Sequence, residues 1–348
     1  MSKIICIGSS CKDMFFPTSE GKIIDTPDDL MAQKKIEFEL GAKYKIEERY
    51  ETIGGCAANV ACGLAKLGTD VSCYSHIGYD EISNWIISEL EKNKVGVGLI
   101  TKETNCVSDL SAIIVDKNSA DRVIFSNQKA NAKLEVQPEK LEGTEWVFIG
   151  DLHGQWQEKL DVIVAAAQEK NIRIAYNPRQ ANIHDDPNKI IQVISFTEVL
   201  FLNKDEAIEL VSTLDHNPPA EDLEKEEFLL SELFQLGSKI VVITDGLRGA
   251  WVYNGEQILH TPGIKVLAVD STGAGDAFCS GFLASYLKEK TLEECLQWGI
   301  ANSSNEVQYY GSIEGLLDEN SILEKIKDIK LEPQVLNKQP LVTKDTIQ

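Results

Sequence analysis

The run Val269-Asp270-Ser271-Thr272-Gly273-Ala274-Gly275-Asp276-Ala277-Phe278 places two glycines, two hydroxyl side chains and two carboxylates side by side. It follows an apolar run, Val266–Val269, expected as a strand. It opens a segment whose Phe278, Phe282, Leu283, Tyr286 and Leu287 recur at helical spacing. Gly273 and Gly275 let a ligand approach the backbone closely, and the bare amides of a first helical turn converge there with the positive end of the helix dipole. That combination is an anion cradle suited to a phosphoryl group. Asp276 is itself negative and does not bind phosphate. In this turn it is suited to take the proton of an attacking hydroxyl while the amides hold charge on the moving phosphoryl. The plain alternative is a first-turn carboxylate that stabilises its helix by about 0.3–1 kcal/mol. A lone G-x-G would favour that alternative; the whole stretch in strand–turn–helix context favours phosphoryl chemistry.

A second glycine pair precedes a small-residue helix, in Thr52-Ile53-Gly54-Gly55-Cys56-Ala57-Ala58-Asn59-Val60-Ala61. Gly54-Gly55 exposes backbone, and Asn59 carries a donor and an acceptor together, as each hydroxyl of a polyol requires. A tight turn with Asn59 bound to nearby backbone explains the same residues equally well. The chain has no G-x-x-x-x-G-K-[ST], H-R-D or D-F-G motif, so any nucleotide is held by other means.

Elements that position these residues can be read from hydrophobic period. Strand-like runs at Lys3–Gly8, Val71–Tyr74, Trp146–Ile149, Arg173–Tyr176, Val199–Leu202 and Ile240–Thr244 alternate with helical segments. The helices are expected over Val60–Leu67, from Asp80 to about Lys92, over Gln157–Lys170 and from Asp205. Such alternation predicts an α/β fold, a parallel sheet covered on both faces. Residues of about 12–52 and 107–128 interrupt it with strand-like pieces that lack helices, such as Ala112–Val115 and Val123–Phe125; they read as an antiparallel flap, a lid over the site. From about Leu331 to Gln348 periodicity is lost, and a loosely ordered tail is expected.

The net charge of −21 excludes a nucleic-acid or anionic-membrane partner by long-range repulsion, yet leaves room for small phosphorylated ligands. The eight cysteines form no C-x-x-C pair, and they are expected as reduced thiols of a cytoplasmic protein. The first apolar run, Ile4-Ile5-Cys6-Ile7, is too short for a secretory or membrane segment.

Taken together, Gly54-Gly55…Asn59 and Asp270-Ser271-Thr272-Gly273-Ala274-Gly275-Asp276 resemble the two signatures of the PfkB, or ribokinase-like, carbohydrate kinases, over about residues 3 to 328. The resemblance implies a three-layer α/β/α sandwich of residues 1–330 with a mostly parallel central sheet and a small β lid. It implies ATP and Mg²⁺ as cofactors, with Asp276 as catalytic base and Gly273, Ala274 and Gly275 as its anion hole. Asp13, Gly54, Gly55 and Asn59 match substrate contacts. Asn203, Thr244, Gly246 and Asn302 match nucleotide contacts, with Glu206 reaching magnesium through water. The carbonyls of Asp270 and Thr272 would serve a monovalent cation such as K⁺, and the lid would pair with its twin in a homodimer.

The expected reaction is ATP-dependent transfer of the γ-phosphoryl to a hydroxyl, foremost the hydroxymethyl of a ribose- or fructose-like sugar. A nucleoside kinase of adenosine-like specificity is the alternative, with Phe15-Phe16-Pro17 either lining a base pocket or simply anchoring the flap. A non-catalytic ligand-binding protein is disfavoured because base and anion hole are both intact. Cys56 stands where sugar-specific relatives carry other polar residues. Arg179, after Asn177-Pro178, could meet a phosphate or an acid group or make an ordinary ion pair, and His153 is read as structural.

Overall fold

A computed structural model describes residues 4–26, 34–119, 121–216, 218–329 and 334–337. Its frame is a nine-stranded sheet. From one edge to the other the strands are Gln334–Asn337, Ile258–Thr261, Gly249–Tyr253, Ile240–Asp245, Val199–Asn203, Arg173–Tyr176, Trp146–Ile149, Ile4–Ile7 and Val71–Tyr74. All pairings from Val71–Tyr74 to Ile240–Asp245 are parallel, and the three beyond are antiparallel.

The central strands are apolar through their middles, with polar residues such as Arg173, Asn203 and Asp245 only at their ends, because both faces are covered. Cys6, Trp146, Phe148, Ala175, Phe201 and Val242 pack on one side against the helices Cys56–Lys66, Ala274–Leu287 and Leu292–Glu306. Their neighbours Ile5, Ile7, Val147, Ile149, Leu200 and Ile243 pack on the other side against Trp156–Lys170, Pro187–Ile194, Lys204–Ser212 and Glu226–Gln235. This is the α/β/α sandwich expected; three helices begin within a residue of their predicted starts, while the one expected from Val60 begins a turn earlier, at Cys56. Asp80 caps Glu81–Lys92 in a reciprocal capping box with Ser83.

A second sheet of four strands, in the order Arg122–Ser126, Leu110–Asp116, Cys11–Thr18 and Tyr50–Gly54, stands over the ends of the central strands. Its outer pairings are antiparallel, whereas Cys11–Thr18 runs parallel to Leu110–Asp116. One face turns Phe15, Ile113 and Val115 inward against Tyr310. The other carries Phe16 and Ile114 beside Phe38, Tyr44, Ile46 and Phe125. A base pocket walled by Phe15 and Phe16 is therefore not what the lid builds: Phe15 is sealed in the lid core and Phe16 points to its outer face.

Two expectations are corrected. Val266–Val269 is not a strand; it joins no sheet, and Val269 touches other backbone through its amide, on the Val307 carbonyl at 2.8 Å. The tail is not wholly without partners, since Gln334–Asn337 adds an edge strand beside Ile258–Thr261, while 331–333 and 338–348 lie outside the described residues. Among the described residues no helix is long and apolar enough to cross a membrane, and all eight cysteines are free thiols.

Candidate active site

Gly273 initiates the helix Ala274–Leu287 with φ +87°, a left-handed conformation that costs glycine least. A side chain there would also strike Ser312, whose Cβ stands 2.5 Å from the added carbon. Gly275 differs: an added Cβ would meet no protein atom within 4 Å. The space above it is left for something other than protein. The Ala274 amide makes a long turn bond to the Ser271 carbonyl at 3.4 Å, whereas the amides of Gly273, Gly275 and Asp276 have no protein acceptor among the described residues.

Asp276 sits in this first turn, and burial pushes its carboxyl up to about 7 against the pull of hydrogen bonds from Asn59 and Cys56; Asp151 and Asp13 push it the same way as burial. Asn59 Nδ2 donates to Asp276 Oδ2 at 2.8 Å. The other amide atom, Asn59 Oδ1, is buried and has no protein partner. Asn59 reaches this position because Gly55, at φ +92°, starts the helix Cys56–Lys66 tight against Ser9, whose carbonyl takes the Ala58 amide.

Asp13 lies on Cys11–Thr18, buried, and desolvation holds its carboxyl above the usual range despite hydrogen bonds from Ser111 and Cys11. Strand register sets Gly54 across from Cys11, and an added Cβ at Gly54 would overlap the Asp13 carboxylate. The glycine pair thus divides its work: Gly54 makes room for Asp13, and Gly55 turns the chain into the Asn59 helix.

Asn203 and Glu206 form the capping box of Lys204–Ser212, with Glu206 N on Asn203 Oδ1 at 2.8 Å and Asn203 N on Glu206 Oε2 at 2.9 Å. Burial pushes Glu206 up to about 7, with further lift from Asp205, Glu209 and Asp276. Thr244 closes the strand beside Asn203, and Gly246 just beyond it lines a cleft with Leu247, Ile264, Val266, Ile300 and Ser303 that opens onto Ser271 and Ala274. Asn302 does not reach that cleft. It is fully buried, donating to Ala277 O and Ser280 Oγ and accepting from Leu317 N, so its side chain ties three segments together while Ser303 and Ser304 line the cleft.

Asp270 is fully buried, and its carboxylate takes Thr272 N at 3.0 Å, Thr272 Oγ1 at 2.7 Å and Gly311 N at 3.3 Å. Arg179 bonds Gln128 at 3.4 Å and lines a separate depression with His153, Trp156 and His184.

Three residues of this neighbourhood were not singled out in the sequence. Asp151, two residues past the strand Trp146–Ile149, accepts from Ser9 N at 3.2 Å and from Ser9 Oγ, with His153 Nε2 at 3.2 Å. A carboxylate just beyond the C-terminal end of a central parallel strand was the available signal, since open α/β sheets bind ligands there. Arg122, on the lid's edge strand, donates from Nη1 to Ser271 Oγ at 2.5 Å, joining lid and signature loop across 149 residues. Glu306 is fully buried with neither carboxylate oxygen partnered, and burial pushes it up to about 10.

Several known kinases are similar to this chain over most of its length. An ATP-dependent 6-phosphofructokinase of Thermoanaerobacterium thermosaccharolyticum is 24% identical over 82% of this chain and 88% of its own length. A nucleoside kinase of Methanocaldococcus jannaschii is 25% identical over 94% of this chain and 97% of its own. Among solved structures, an E. coli protein in complex with ATP and Mg²⁺ superposes with a TM-score of 0.74 at 19% identity, covering 94% of this chain and all of the other. The model of the pfkB family carbohydrate kinases matches residues 1–319, and the chain belongs to that family.

Proposed function

We propose that the protein transfers the γ-phosphoryl of ATP to a hydroxyl, foremost a hydroxymethyl, of a small sugar, with Asp276 as the base. One observation carries this reading: a buried carboxylate, oriented by Asn59 at 2.8 Å, shares a helix turn with amides that no protein group occupies, beneath open space at Gly275. In that turn Asp276 takes the hydroxyl proton as the oxygen attacks, and the Gly273–Asp276 amides offset charge on the phosphoryl oxygens. Asn59 fixes the carboxylate's direction, and Asp13 accepts hydrogen bonds from the other hydroxyls. Lid strands over the strand ends keep water from competing as acceptor.

The apolar cleft from Gly246 to Ser303 fits an adenine, and its opening at Ser271 and Ala274 aligns a triphosphate with the cradle. Mg²⁺ would supply charge neutralisation on the phosphate oxygens, and Glu206, half-buried and short of cationic partners, fits it through water. The turn carbonyls of Asp270 and Thr272, beside the unpartnered hydroxyl of Ser312, suit a monovalent cation such as K⁺; melting in KCl against choline chloride reports it. The exposed apolar outer face of the lid suits a homodimer, which light scattering reports.

The decisive experiment is turnover of ATP and magnesium with ribose, fructose, adenosine and other nucleosides, by native chain and by Asp276→Asn. Sugar turnover lost by about 10²–10⁴ in the variant is expected. Activity on nucleosides alone would replace the sugar by a ribosyl group, and near-native turnover by the variant would remove Asp276 from its role.

A further inference from the structure

The side chains on the two sides of Asp276 differ in kind. Toward the signature loop lie bare amides and the Arg122 guanidinium, which bonds the neutral Ser271 hydroxyl. On the acceptor side lie Asp13, Asp151 and Asn59. Asp151 belongs there by its contacts: it holds both the amide and hydroxyl of Ser9, whose carbonyl takes the Ala58 amide one residue before Asn59. The Cys56 thiol packs on Gly150, immediately before Asp151, and also faces Asp276. The Asp151 side chain keeps 22% of its surface exposed, so Ser9 and His153 orient it without sealing it.

Among the described residues, no lysine or arginine pairs with Asp13, Asp151 or Asp276. Lys12 is held by Glu51 at 2.5 Å, and Arg179 turns to Gln128. A second feature points to the same ligand chemistry. Asn59 is 4% exposed; one Nδ2 hydrogen goes to Asp276, and its Oδ1 is a buried acceptor with no donor. Carboxylates and an amide oxygen accept hydrogen bonds and need donors. A hydroxyl supplies one. A phosphate monoester dianion supplies none, and it would be held among like charges.

Resting on the kinase reading above, we propose that the acceptor is an unphosphorylated polyol and that Asp151, with Asp13, is the specificity-determining residue that excludes sugar phosphates. Asp151 accepts a hydroxyl hydrogen of the correct acceptor and confronts a phosphorylated one with an unpaired carboxylate. Its neighbours His153 and Ser9 act through it, by holding its direction.

The test uses matched acceptors on the native chain with ATP and magnesium: ribose against ribose 5-phosphate, fructose against fructose 6-phosphate, and adenosine against its monophosphate. The unphosphorylated member of at least one pair is expected to have a kcat/KM about 100-fold or more above its partner. A phosphorylated member turned over equally well or better overturns the exclusion and leaves the kinase reading standing. Absence of product from every member overturns both. In Asp151→Asn, KM for the neutral acceptor is expected to rise about 10-fold or more, with a smaller change in kcat and weaker discrimination within the pair. Unchanged KM and discrimination in a variant that melts like the native chain would remove Asp151 from the role. The matched pairs on the native chain decide the exclusion even if that variant does not fold.

Discussion

Asn59 Nδ2 lies 2.8 Å from Asp276 Oδ2, a bond between the first turns of two helices 217 residues apart in the chain. It opposes the burial that lifts Asp276 to about 7, so the proposed base is held at the edge of its ionised form at neutral pH. As a proton acceptor Asp276 works only when ionised, and turnover should rise with pH through about 7 before levelling. Asn59→Ala removes a favourable partner of the charged form. The acidic limb of kcat should then move to higher pH and the plateau should fall, by about 10-fold. A pH–rate profile of native and variant chains checks this; an unmoved limb would detach Asn59 from the base.

The glycines make separable predictions. Gly54→Ala drives a methyl into the Asp13 carboxylate, so acceptor KM should rise steeply while nucleotide affinity stays near native. Gly275→Ala meets no protein atom, so melting should be near native while kcat drops, because the added methyl would stand in the proposed phosphoryl cradle. Calorimetric melts together with steady-state constants for both ligands separate the two. Equal losses in both ligands for Gly54→Ala would contradict the division.

Arg122 joins the lid to the signature loop through Ser271 and has no carboxylate in bonding distance among the described residues. A nucleotide phosphate at the proposed cradle would offer its guanidinium an anionic partner in place of a serine hydroxyl. Arg122→Ala should raise KM for ATP by about 10-fold and lower kcat, with the free chain's melting temperature little changed. Arg122→Lys should restore only part of this, since a single ammonium lacks the planar fork.

Glu306 carries the clearest stability signature. Its pKa is raised by burial from 4.5 to about 10, so it contributes stability below 4.5 that is lost as pH rises toward 10. In potassium-free buffer Glu306→Gln should melt higher than the native chain at pH 8 and about the same at pH 4.5. A lower melting temperature at pH 8 would mean that the carboxylate is held by a partner in solution.

Local chemistry explains what the sequence by itself determined. Capping residues such as Asp80, left-handed turns such as Gly273, and two-sided apolar strands act over a few residues, so the α/β alternation and the glycine turn that opens the Asp276 helix were readable without a structure. Family membership, in turn, follows from residues of the same signatures. Tertiary structure decided the rest, because it depends on pairings between distant segments. Val266–Val269 has the apolar composition of a strand but no neighbour to complete a ladder. Asn302 shares a helix with the cleft-lining Ser303 and Ser304, yet its rotation about the axis turns it inward to Ala277 and Leu317. Arg122 comes from a lid edge that no local pattern links to Asp276, and Asp151 had only its place beyond a strand end to mark it. A carboxylate's role is set by what burial and its neighbours do to its charge, and those neighbours are chosen by the fold.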